Sequence, residues 1–308
     1  MKKLVAALLT ASMCFSLVAC GLETGGTATT QAAQTTVAES TADSAAETTA
    51  TTTRTGKTDA AEYEYEVGPA IQEILDKGKL VVGIDSGYVP FCFTDPATGE
   101  SYGVNVTVAR KVAEVLGVEC DIVSETFSAV LSDLSVDKID LVAAMVTVTE
   151  ERSQIMDFTE PLYQDKDYIL VRTEDADKYT SKEALAGATV VANNGSVQYT
   201  HAQELENVNL IATDSTADAA LQVVTGTADA MVTNDANGRL YEIGYAGKLT
   251  MVKDVQWENS DASLAVNKGD EDLCALVNQI IEKEIQPSVD QMLDDETQRG
   301  VEMLGIGQ

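Results

Sequence analysis

The chain is poor in the side chains that most often bind metal ions. It has one histidine, His201, among 308 residues, and five cysteines. Three of the cysteines, Cys92, Cys120 and Cys274, lie in the body of the sequence at no spacing typical of a metal site. A zinc site or a catalytic triad that depends on histidine is therefore not expected. We predict no metal and no other cofactor.

Basic residues are scarce as well. The sequence has 20 Lys and Arg residues against 50 Asp and Glu residues, which gives a formal net charge of -30 at pH 7. Such a charge repels phosphate backbones and anionic membrane surfaces, so we expect no nucleic-acid partner. The acidic excess instead predicts a well-solvated surface, because charged side chains on one protein repel those on another.

The apolar run near the N-terminus, residues 4–18, is too short for a stable membrane span. Lys2 and Lys3 precede this run, and its last two residues begin the motif LVAC, residues 17–20, whose last residue is Cys20. The pattern resembles a bacterial lipoprotein signal, in which residues 1–19 are removed and Cys20 carries lipid. The alternative is a buried first helix that happens to contain Cys20. A lipid-anchored protein would face the extracellular space or the periplasm without spanning the membrane.

Residues 20–61 offer little that could form a core. Segments such as TATTQAAQTTVAES consist of small and polar residues. Such a segment does not recover the entropy lost on ordering, so we predict a lipidated cysteine followed by a disordered tether. The tether either gives the folded part reach or is a spacer without further role. The remaining stretch of about 250 residues suits one large domain or two small ones.

From Ala70 onward, strand-like apolar runs alternate with helical patterns, which is typical of parallel sheets with crossover helices. KLVVGID, Lys79–Asp85, is a predicted buried strand, and NVTVARKVAEVLG is a predicted helix that ends at Gly117. FSAVLSDLSVDKIDLVAAMVT is echoed later by TADAALQVVTGTADAMVTND. We interpret this echo as two similarly built lobes, unless it reflects only the likeness of any two βα units.

The chain is predicted to cross between these lobes twice. The segments YQDKDYILVRTED and SDASLAVNKGD look extended, and the last two predicted helices follow the second of them. If those helices pack on the first lobe, lobe 1 comprises residues 62–165 and 258–308, and lobe 2 comprises residues 166–257. Two crossing strands form a hinge, and a hinge beside a cleft indicates a clamshell.

Ligands of open α/β sheets bind beyond the carboxyl ends of the strands. The loops at those positions hold one cation, two acids, hydroxyl groups, an amide and an aromatic ring. They are Asp85, Tyr88, Thr147, Arg152, Gly195, Ser196, Asn234 and Asp235. Because these loops follow neighbouring strands, we predict that they meet in one cleft.

Four segments carry a family resemblance: LVVGIDSGYVPFCF, GVNVTVARKVAEVLG, FSAVLSDLSVDKIDLVAAMVTVTEERSQIMDFTEPLY and LAGATVVANNGSVQY. Together they resemble the solute-binding proteins of bacterial polar-amino-acid ABC importers, over about residues 68–308. The resemblance implies the α/β fold of a two-lobed periplasmic-binding-protein clamshell. Each lobe would be a mostly parallel sheet flanked by helices, and two hinge crossings would join the lobes.

The resemblance also implies roles for the residues around the opening of the cleft. Arg152 would bind the α-carboxylate of the ligand in a bidentate manner, a charge-assisted contact with a defined geometry. Thr147 and Met145 would line the same site, and Gly195 and Ser196 would start a helix whose free N–H groups face the carboxylate. The alternative for Arg152 is a surface ion pair with a neighbouring glutamate, Glu150 or Glu151.

Three further residues would contact the rest of the ligand. Tyr88 and Phe127 would sandwich its side chain, and Asp85 would bind a polar or cationic group on it. The alternatives are that Phe127 belongs only to the core and that Asp85 caps a turn.

One position departs from the family pattern. Where the family places an aspartate that holds the ammonium of the ligand, this sequence has Asn234, and Asp235 follows it. An amide oxygen accepts a hydrogen bond but brings no charge. Either a one-residue loop shift lets Asp235 serve, or the ligand is not a standard α-amino acid.

The resemblance implies a monomeric, non-enzymatic binding component of an ABC importer. It would capture a small carboxylate-bearing solute, with a polar amino acid as the leading candidate, and deliver it to a membrane permease. The first alternative is an enzyme on the same fold, similar to cyclohexadienyl dehydratases. The second is a sensor that reports the ligand to a membrane kinase.

Overall fold

The computed structural model describes residues 52–258 and 260–306 of the chain. The expected signal segment and Cys20 lie outside the described residues. Within the described part, none of the helices combines the length and the apolar character that crossing a membrane requires. Cys92, Cys120 and Cys274 are free thiols there.

The strands, in chain order, are β1 (Thr52–Lys57), β2 (Glu62–Val67), β3 (Lys79–Asp85), β4 (Gly87–Tyr88), β5 (Cys92–Thr94), β6 (Ser101–Tyr102), β7 (Glu119–Glu125), β8 (Leu141–Thr147), β9 (Met156–Phe158), β10 (Tyr163–Asp165), β11 (Asp167–Arg172), β12 (Thr189–Asn193), β13 (Asn209–Thr213), β14 (Ala230–Asn234), β15 (Leu249–Gln256) and β16 (Ser260–Asn267). The α-helices are α1 (Pro69–Lys77), α2 (Val104–Leu116), α3 (Phe127–Leu134), α4 (Glu150–Ser153), α5 (Val197–Gln203), α6 (Thr216–Val224), α7 (Asp235–Gly244), α8 (Glu271–Ile280) and α9 (Val289–Leu304). A π-helical turn, Ile281–Ile285, and a 3₁₀ turn, Gln286–Ser288, join the last two helices, and two further 3₁₀ turns are Thr173–Asp175 and Glu183–Leu185.

Two sheets flanked by helices form the two lobes. Lobe 1 carries a six-stranded sheet of order β10-β16-β8-β3-β7, in which β9 also pairs with β16, and lobe 2 carries a five-stranded sheet of order β13-β12-β14-β11-β15. Strands β8, β3 and β7 run parallel, as do β13, β12 and β14. The predicted two-lobed clamshell fold is thus confirmed.

The sheets are mixed, whereas mostly parallel sheets were expected. Strands β10 and β16 pair antiparallel in lobe 1, and β11 pairs antiparallel with both β14 and β15 in lobe 2. Strands β10, β11, β15 and β16 belong to the two segments that cross between the lobes. Because the chain passes directly from β10 to β11 and from β15 to β16, no crossover helix returns it to a parallel direction.

The two crossings lie side by side. The chain leaves lobe 1 at Lys166 and returns between Gln256 and Ser260. The backbone N–H of Trp257 donates to the carbonyl of Asp167 at 3.1 Å, so the two segments are hydrogen-bonded at the hinge. The His201 imidazole bonds the Asp167 carboxylate at 2.9 Å and stacks on the Trp257 indole, with 5.2 Å between ring centroids. His201 therefore supports the hinge.

The folded part begins earlier than predicted. Residues 52–61 were assigned to the tether, but β1 pairs antiparallel with β2 along its whole length. Tyr63 in β2 is 1% exposed, and its hydroxyl donates to the Glu284 carboxylate at 2.6 Å. The hairpin thus buries apolar surface on lobe 1, and the assignment of these ten residues to the tether is wrong. The alternation EYEYEV was the sequence signal for this strand.

The C-terminal helix contacts both lobes, although residues 258–308 were assigned to lobe 1 alone. A Cβ atom at Gly300 would lie 2.4 Å from a methyl group of Val89 in lobe 1. A Cβ atom at Gly244 in lobe 2 would meet a methyl group of Ile306 at the same distance. The two glycines let α9 approach both lobes closely, so α9 joins them as a third connection.

Candidate functional site

A cavity lies between the lobes, at the carboxyl ends of the central strands β3, β8, β12 and β14. Of the ten residues proposed from the sequence, eight line this cavity. They are Asp85, Tyr88, Phe127, Met145, Thr147, Arg152, Ser196 and Asn234. Gly195 borders the cavity without lining it, and Asp235 does not line it.

Arg152 enters the cavity from α4, a single turn that Thr149 caps by accepting from the Arg152 backbone N–H at 3.2 Å. Its Nη1 donates to the Thr147 carbonyl at 2.9 Å, and its Nη2 donates across the cleft to the Gly195 carbonyl at 3.0 Å. Its Cζ lies 5.6 Å from the centroid of the Phe127 ring. These contacts hold the guanidinium in one orientation.

Arg152 is poorly neutralised by the protein itself. It forms no ion pair with Glu150 or Glu151 in the described part of the chain, so the surface-pair alternative is not observed. Burial lowers the pKa of the Arg152 guanidinium, and the charge of Glu151 opposes that shift. A guanidinium has five N–H donors, and the structure pairs two of them with carbonyl oxygens. The remaining donors suit an anion inside the cavity.

Asp85 ends β3 and is 4% exposed. Burial raises the pKa of its carboxyl to about 6, while hydrogen bonds from the Gly87 backbone and the Asn193 side chain act in the opposite direction. The Gly87 N–H donates to Asp85 Oδ1 at 3.4 Å. Asp85 therefore accepts a hydrogen bond from a turn, which is one of the two alternatives from the sequence, and it also lines the cavity. Its contact with a polar or cationic group of a ligand stays a prediction.

The two aromatic residues occupy different surroundings. Tyr88 stacks on Phe91 with 5.8 Å between ring centroids, and its hydroxyl accepts a hydrogen bond from Asn234 Nδ2. Phe127 belongs to the core of lobe 1 and also lines the cavity, beneath the Arg152 guanidinium. The core alternative for Phe127 and its place at the cavity are thus compatible.

Ser196 and Gly195 begin α5. The Ser196 hydroxyl accepts from the Tyr199 N–H at 3.1 Å and donates to the Asn193 carbonyl at 2.6 Å. Gly195 has a φ of +74°, which a glycine adopts without strain. Its carbonyl points at Arg152 and orients that side chain. The role that the resemblance implies for Gly195 and Ser196, to begin a helix whose free N–H groups face a carboxylate, stays a prediction.

Met145 has a backbone that an ordinary strand residue does not adopt. It lies near the end of β8 with a φ of +50°, and the register between β8 and β16 shifts beside it, between Ser263 and Ala265. A methionine in the left-handed region costs about 1 kcal/mol or more, and such strain is concentrated at binding and active sites. The irregularity changes the course of β8 just before Thr147.

Asn234 caps α7. Its Oδ1 accepts from the Asn237 N–H at 2.9 Å, and its Nδ2 donates to the Tyr88 hydroxyl. Asp235 is the first residue of α7, and its N–H donates to the Lys166 carbonyl at 3.0 Å. Since this bond holds Asp235 at the hinge side of the loop, a one-residue shift that would bring its carboxylate into the cavity is not observed.

The cavity also contains polar residues that the sequence reasoning missed. They are Asn193, Gln198, Thr216, Thr233 and Asn237. Asn193 ends a strand in the loop NNGS, so its position could have been identified. Asn237 lies three residues beyond a strand end, and its place depends on which face of α7 meets the cleft. Thr216 begins a helix, and its hydroxyl donates to the Gly87 carbonyl across the cleft at 3.3 Å.

No group of three or more His, Cys, Asp or Glu side chains in the described ranges is arranged to hold a metal ion. Asp85 is the only acid that lines the cavity among the residues the structure describes, and Arg152 is the only base. The cavity therefore suits a small molecule with an anionic group, bound by one arginine and a wall of amides and hydroxyls.

Known proteins share both the sequence pattern and the fold. A family model described as bacterial extracellular solute-binding proteins, family 3, matches residues 80–294. The L-arginine-binding protein of Pseudomonas aeruginosa is 28% identical over 210 residues, which cover 65% of this chain and 80% of that protein.

Two solved structures extend the comparison. An amino acid ABC transporter substrate-binding protein from Streptococcus pneumoniae, AbpA, bound to L-arginine, superposes with a TM-score of 0.70 at 27% identity, covering 75% of this chain and 99% of that one. An ancestral amino acid-binding protein, AncCDT-1, described as a precursor of cyclohexadienyl dehydratase, has a TM-score of 0.65 at 30% identity, covering 75% and 99%.

Proposed function

The chain belongs to the bacterial extracellular solute-binding proteins, family 3, and we propose that its solute is a small carboxylate, with a polar amino acid as the leading candidate. In this proposal the protein captures the solute between its lobes and delivers it to an ABC permease in the membrane. The similar proteins named above bind amino acids, two of them arginine by name.

The observation that carries the proposal is the state of Arg152. It is half-buried in the cleft, held by two backbone carbonyls, and forms no ion pair with a carboxylate among the described residues. A fixed guanidinium in a cavity partly closed to water binds a carboxylate through charge-assisted hydrogen bonds. Thr147, whose carbonyl orients the arginine, lines the same part of the cavity.

Hydrogen bonds across the cleft support capture by closure. Nη2 of Arg152 reaches Gly195, Nδ2 of Asn234 reaches Tyr88, and the Asn193 side chain bonds Asp85. Each of these pairs joins lobe 1 to lobe 2, so closing the lobes brings the two walls of the cavity together. A ligand that touches both walls favours this arrangement by its differential affinity for the closed and open states.

We further propose that residues 1–19 are a lipoprotein signal, that Cys20 carries lipid, and that residues 20–51 are the tether. The monomeric protein would then be held at the membrane on its extracellular or periplasmic side. With the hairpin and α9 taken into account, lobe 1 comprises about residues 52–165 and 258–288, and lobe 2 comprises residues 166–257. Cys20→Ser should release the protein into the soluble fraction, and its retention in the membrane fraction would contradict the anchor.

Two observations favour a second candidate, an enzyme related to cyclohexadienyl dehydratase. One is the likeness to AncCDT-1, and the other is the raised pKa of Asp85, which keeps a proton available in the cavity near pH 6. We propose binding without turnover as the main function. Release of carbon dioxide or water from a cyclohexadienyl carboxylate, lost in Asp85→Asn, would establish the second candidate in its place.

Thermal unfolding of the protein against a panel of amino acids, dicarboxylates and small peptides tests the proposal. A ligand at about a thousand times its dissociation constant adds about 4 kcal/mol to the free energy of unfolding. We expect at least one carboxylate to raise the melting temperature, and Arg152→Ala to remove that rise. A panel in which no carboxylate shifts the melting temperature would contradict the function.

A further inference from the structure

Two buried amides, Asn237 and Asn193, line the cavity and carry polar atoms that no described residue pairs. Asn237 is 0% exposed, and neither its Nδ2 nor its Oδ1 has a hydrogen-bond partner among the described residues. Asn193 is 6% exposed, and its Oδ1 likewise has no partner there. A buried polar atom without a partner destabilises the fold, so we interpret the unpaired amide atoms of these cavity-lining residues as groups that a ligand pairs.

The backbone holds Asn237 firmly in place. Its N–H donates to Oδ1 of Asn234, and the Asn234 amide donates in turn to the Tyr88 hydroxyl of the opposite lobe. Asn237 therefore belongs to the part of the cavity built from Tyr88 and Asn234. Arg152 belongs to a different hydrogen-bonded set, with Thr147 and Gly195. A solute whose carboxylate is at Arg152 would present another part of itself to Asn237.

The chemistry of an amide restricts what that other part can be. An asparagine side chain always offers two N–H donors at one atom and acceptor lone pairs at the other, whichever way its amide is turned. A ligand group with donors only leaves the asparagine nitrogen unpaired, and a group with acceptors only leaves the oxygen unpaired. A group with both satisfies both atoms. The unpaired Oδ1 of Asn193 adds a second acceptor for a ligand N–H.

We propose, as an extension that rests on the proposed function, that the distal group of the bound carboxylate solute both donates and accepts hydrogen bonds, as a carboxamide or a ureido group does. Asn237 is the residue that selects this group, and Asn193 assists it. The solute is then neutral at its distal end. Among the described residues, the cavity presents no unpaired cation to that end, and the one acid among them that lines it, Asp85, is already hydrogen-bonded by Gly87 and Asn193.

A set of amino acids that share the same α-carboxylate and α-ammonium groups tests the distal selection. L-Glutamine and L-citrulline carry donor and acceptor, L-arginine and L-lysine donors only, L-glutamate acceptors only, and L-norleucine neither. Isothermal titration of the wild-type protein should give glutamine or citrulline an affinity at least about tenfold above the other four. If arginine, lysine or glutamate bound as tightly as both glutamine and citrulline, or more tightly, the inference would be overturned.

Variants at Asn237 identify the residue responsible. Asn237→Leu keeps the side-chain size and removes both polar atoms, so it should lower the affinity for the carboxamide or ureido ligand by about tenfold or more and leave norleucine unchanged. Asn237→Asp replaces the donor with a charge and should shift the preference toward lysine and arginine. Unchanged selectivity in both variants would overturn the role of Asn237.

Asn105 provides the matched control. It is also 0% exposed with both amide atoms unpaired within the described residues, but it lies in α2 and does not line the cavity. Asn105→Leu and Asn237→Leu should both maintain or raise the melting temperature of the unliganded protein, since each removes unpaired buried polar atoms. An equal loss of affinity in the two variants would indicate a general packing effect and overturn the inference.

The two levels of the proposal fail in different ways. If Arg152→Ala abolishes binding while Asn237→Leu retains its preference, the selection by Asn237 is wrong and the carboxylate-binding function stands. If neither glutamine nor citrulline binds the wild-type protein but another carboxylate does, the distal class is wrong and the function again stands. If no carboxylate binds at all, both are wrong.

Discussion

The two lobes contribute different chemistry to the cavity. Lobe 1 supplies its charges and rings, Asp85, Tyr88, Phe127 and Arg152, whereas lobe 2 supplies neutral amides and hydroxyls. A charge recognises an ionised group almost regardless of what the rest of the molecule is. Amides and hydroxyls recognise the pattern of donors and acceptors. We therefore propose that lobe 1 selects a carboxylate and that lobe 2 selects among carboxylates.

Removing the charge from lobe 1 should have the largest effect. Arg152→Ala leaves the ligand carboxylate without its cation, and truncating one member of a desolvated charge pair costs about 2–5 kcal/mol of binding free energy. Arg152→Lys keeps the charge but loses the planar fork, so its affinity should lie between those of the wild type and the alanine variant. Isothermal titration measures both.

Arg54 serves as the control for that experiment. It is an exposed arginine on β1, away from the cavity. Arg54→Ala should bind as the wild type does, which excludes an effect of net charge alone. Equal affinities of the Arg152→Ala variant and the wild type would assign carboxylate recognition to lobe 2 and so remove the contrast between the lobes.

Asp85, the acid that lobe 1 contributes to the cavity, should make the free energy of unfolding depend on pH. Burial raises the Asp85 pKa from 3.8 to about 6, so the folded state holds a proton that the unfolded state has released between these values. The contribution of Asp85 to stability therefore falls as the pH rises from about 4 to about 6 and then stays level. A shift of about two units corresponds to about 3 kcal/mol, and Asp85→Asn should recover up to that amount at pH 7 and little at pH 4.

Denaturant unfolding at several pH values checks this prediction, and Asp270 is its matched control. Burial, followed by the nearby acid Asp272, raises the Asp270 pKa to about 6 as well, but Asp270 lies away from the cavity. Asp270→Asn should change the pH dependence of stability and leave that of ligand affinity unaltered. If Asp85→Asn raised the free energy of unfolding by no more at pH 7 than at pH 4, ionisation of Asp85 would not destabilise the folded state.

The strand ends that carry charge could be identified from the sequence, because the rule that ligands bind beyond parallel strands needs only the strand limits. β3 ends at Asp85 as predicted, and Arg152 follows β8 at the expected place. The amides of lobe 2 could not be identified in the same way. Whether Asn237 faces the cleft depends on the residue at which α7 begins, and that is decided by the cap at Asn234.

Other features depended on contacts between distant parts of the chain. The hairpin of β1 and β2 is short and rich in polar residues, and its place is decided by burial of Tyr63 on lobe 1 and its bond to Glu284. The double contact of α9 depends on two glycines, Gly244 and Gly300, that lie on different elements. No local pattern indicates that these glycines will face the same helix.

A charge introduced on lobe 2 should alter which ligands the cavity selects. Asn234→Asp keeps an acceptor for the Asn237 N–H and adds a carboxylate at the start of α7. Ligands with an ammonium group should gain about 1.5–3 kcal/mol, the range for hydrogen bonds to charged groups. Titration with glutamine and with glutaramic acid, its analogue without the ammonium, separates this effect. An equal gain for both compounds would show that the new charge does not recognise the ammonium.

The smallest expected effect comes from weakening the contacts of α9, the helix that touches both lobes. Ile306 is buried against Gly244 of lobe 2, while Gly300 on the preceding helix lies against Val89 of lobe 1. Ile306→Ala should lower the free energy of unfolding by about 2 kcal/mol, the low end of the range for removing a buried isoleucine, since the Ile306 side chain is 8% exposed.

Its effect on ligand affinity shows how α9 moves. If α9 keeps both contacts only when the lobes are closed, the variant should lose ligand affinity by a few-fold, because the closed state is then less populated before binding. If the affinity is unchanged while the stability falls, α9 moves with one lobe, and the preference for closure comes from the hydrogen bonds across the cavity alone. Titration and denaturant unfolding of the same variant decide between these outcomes, with Arg54→Ala as the unaffected reference.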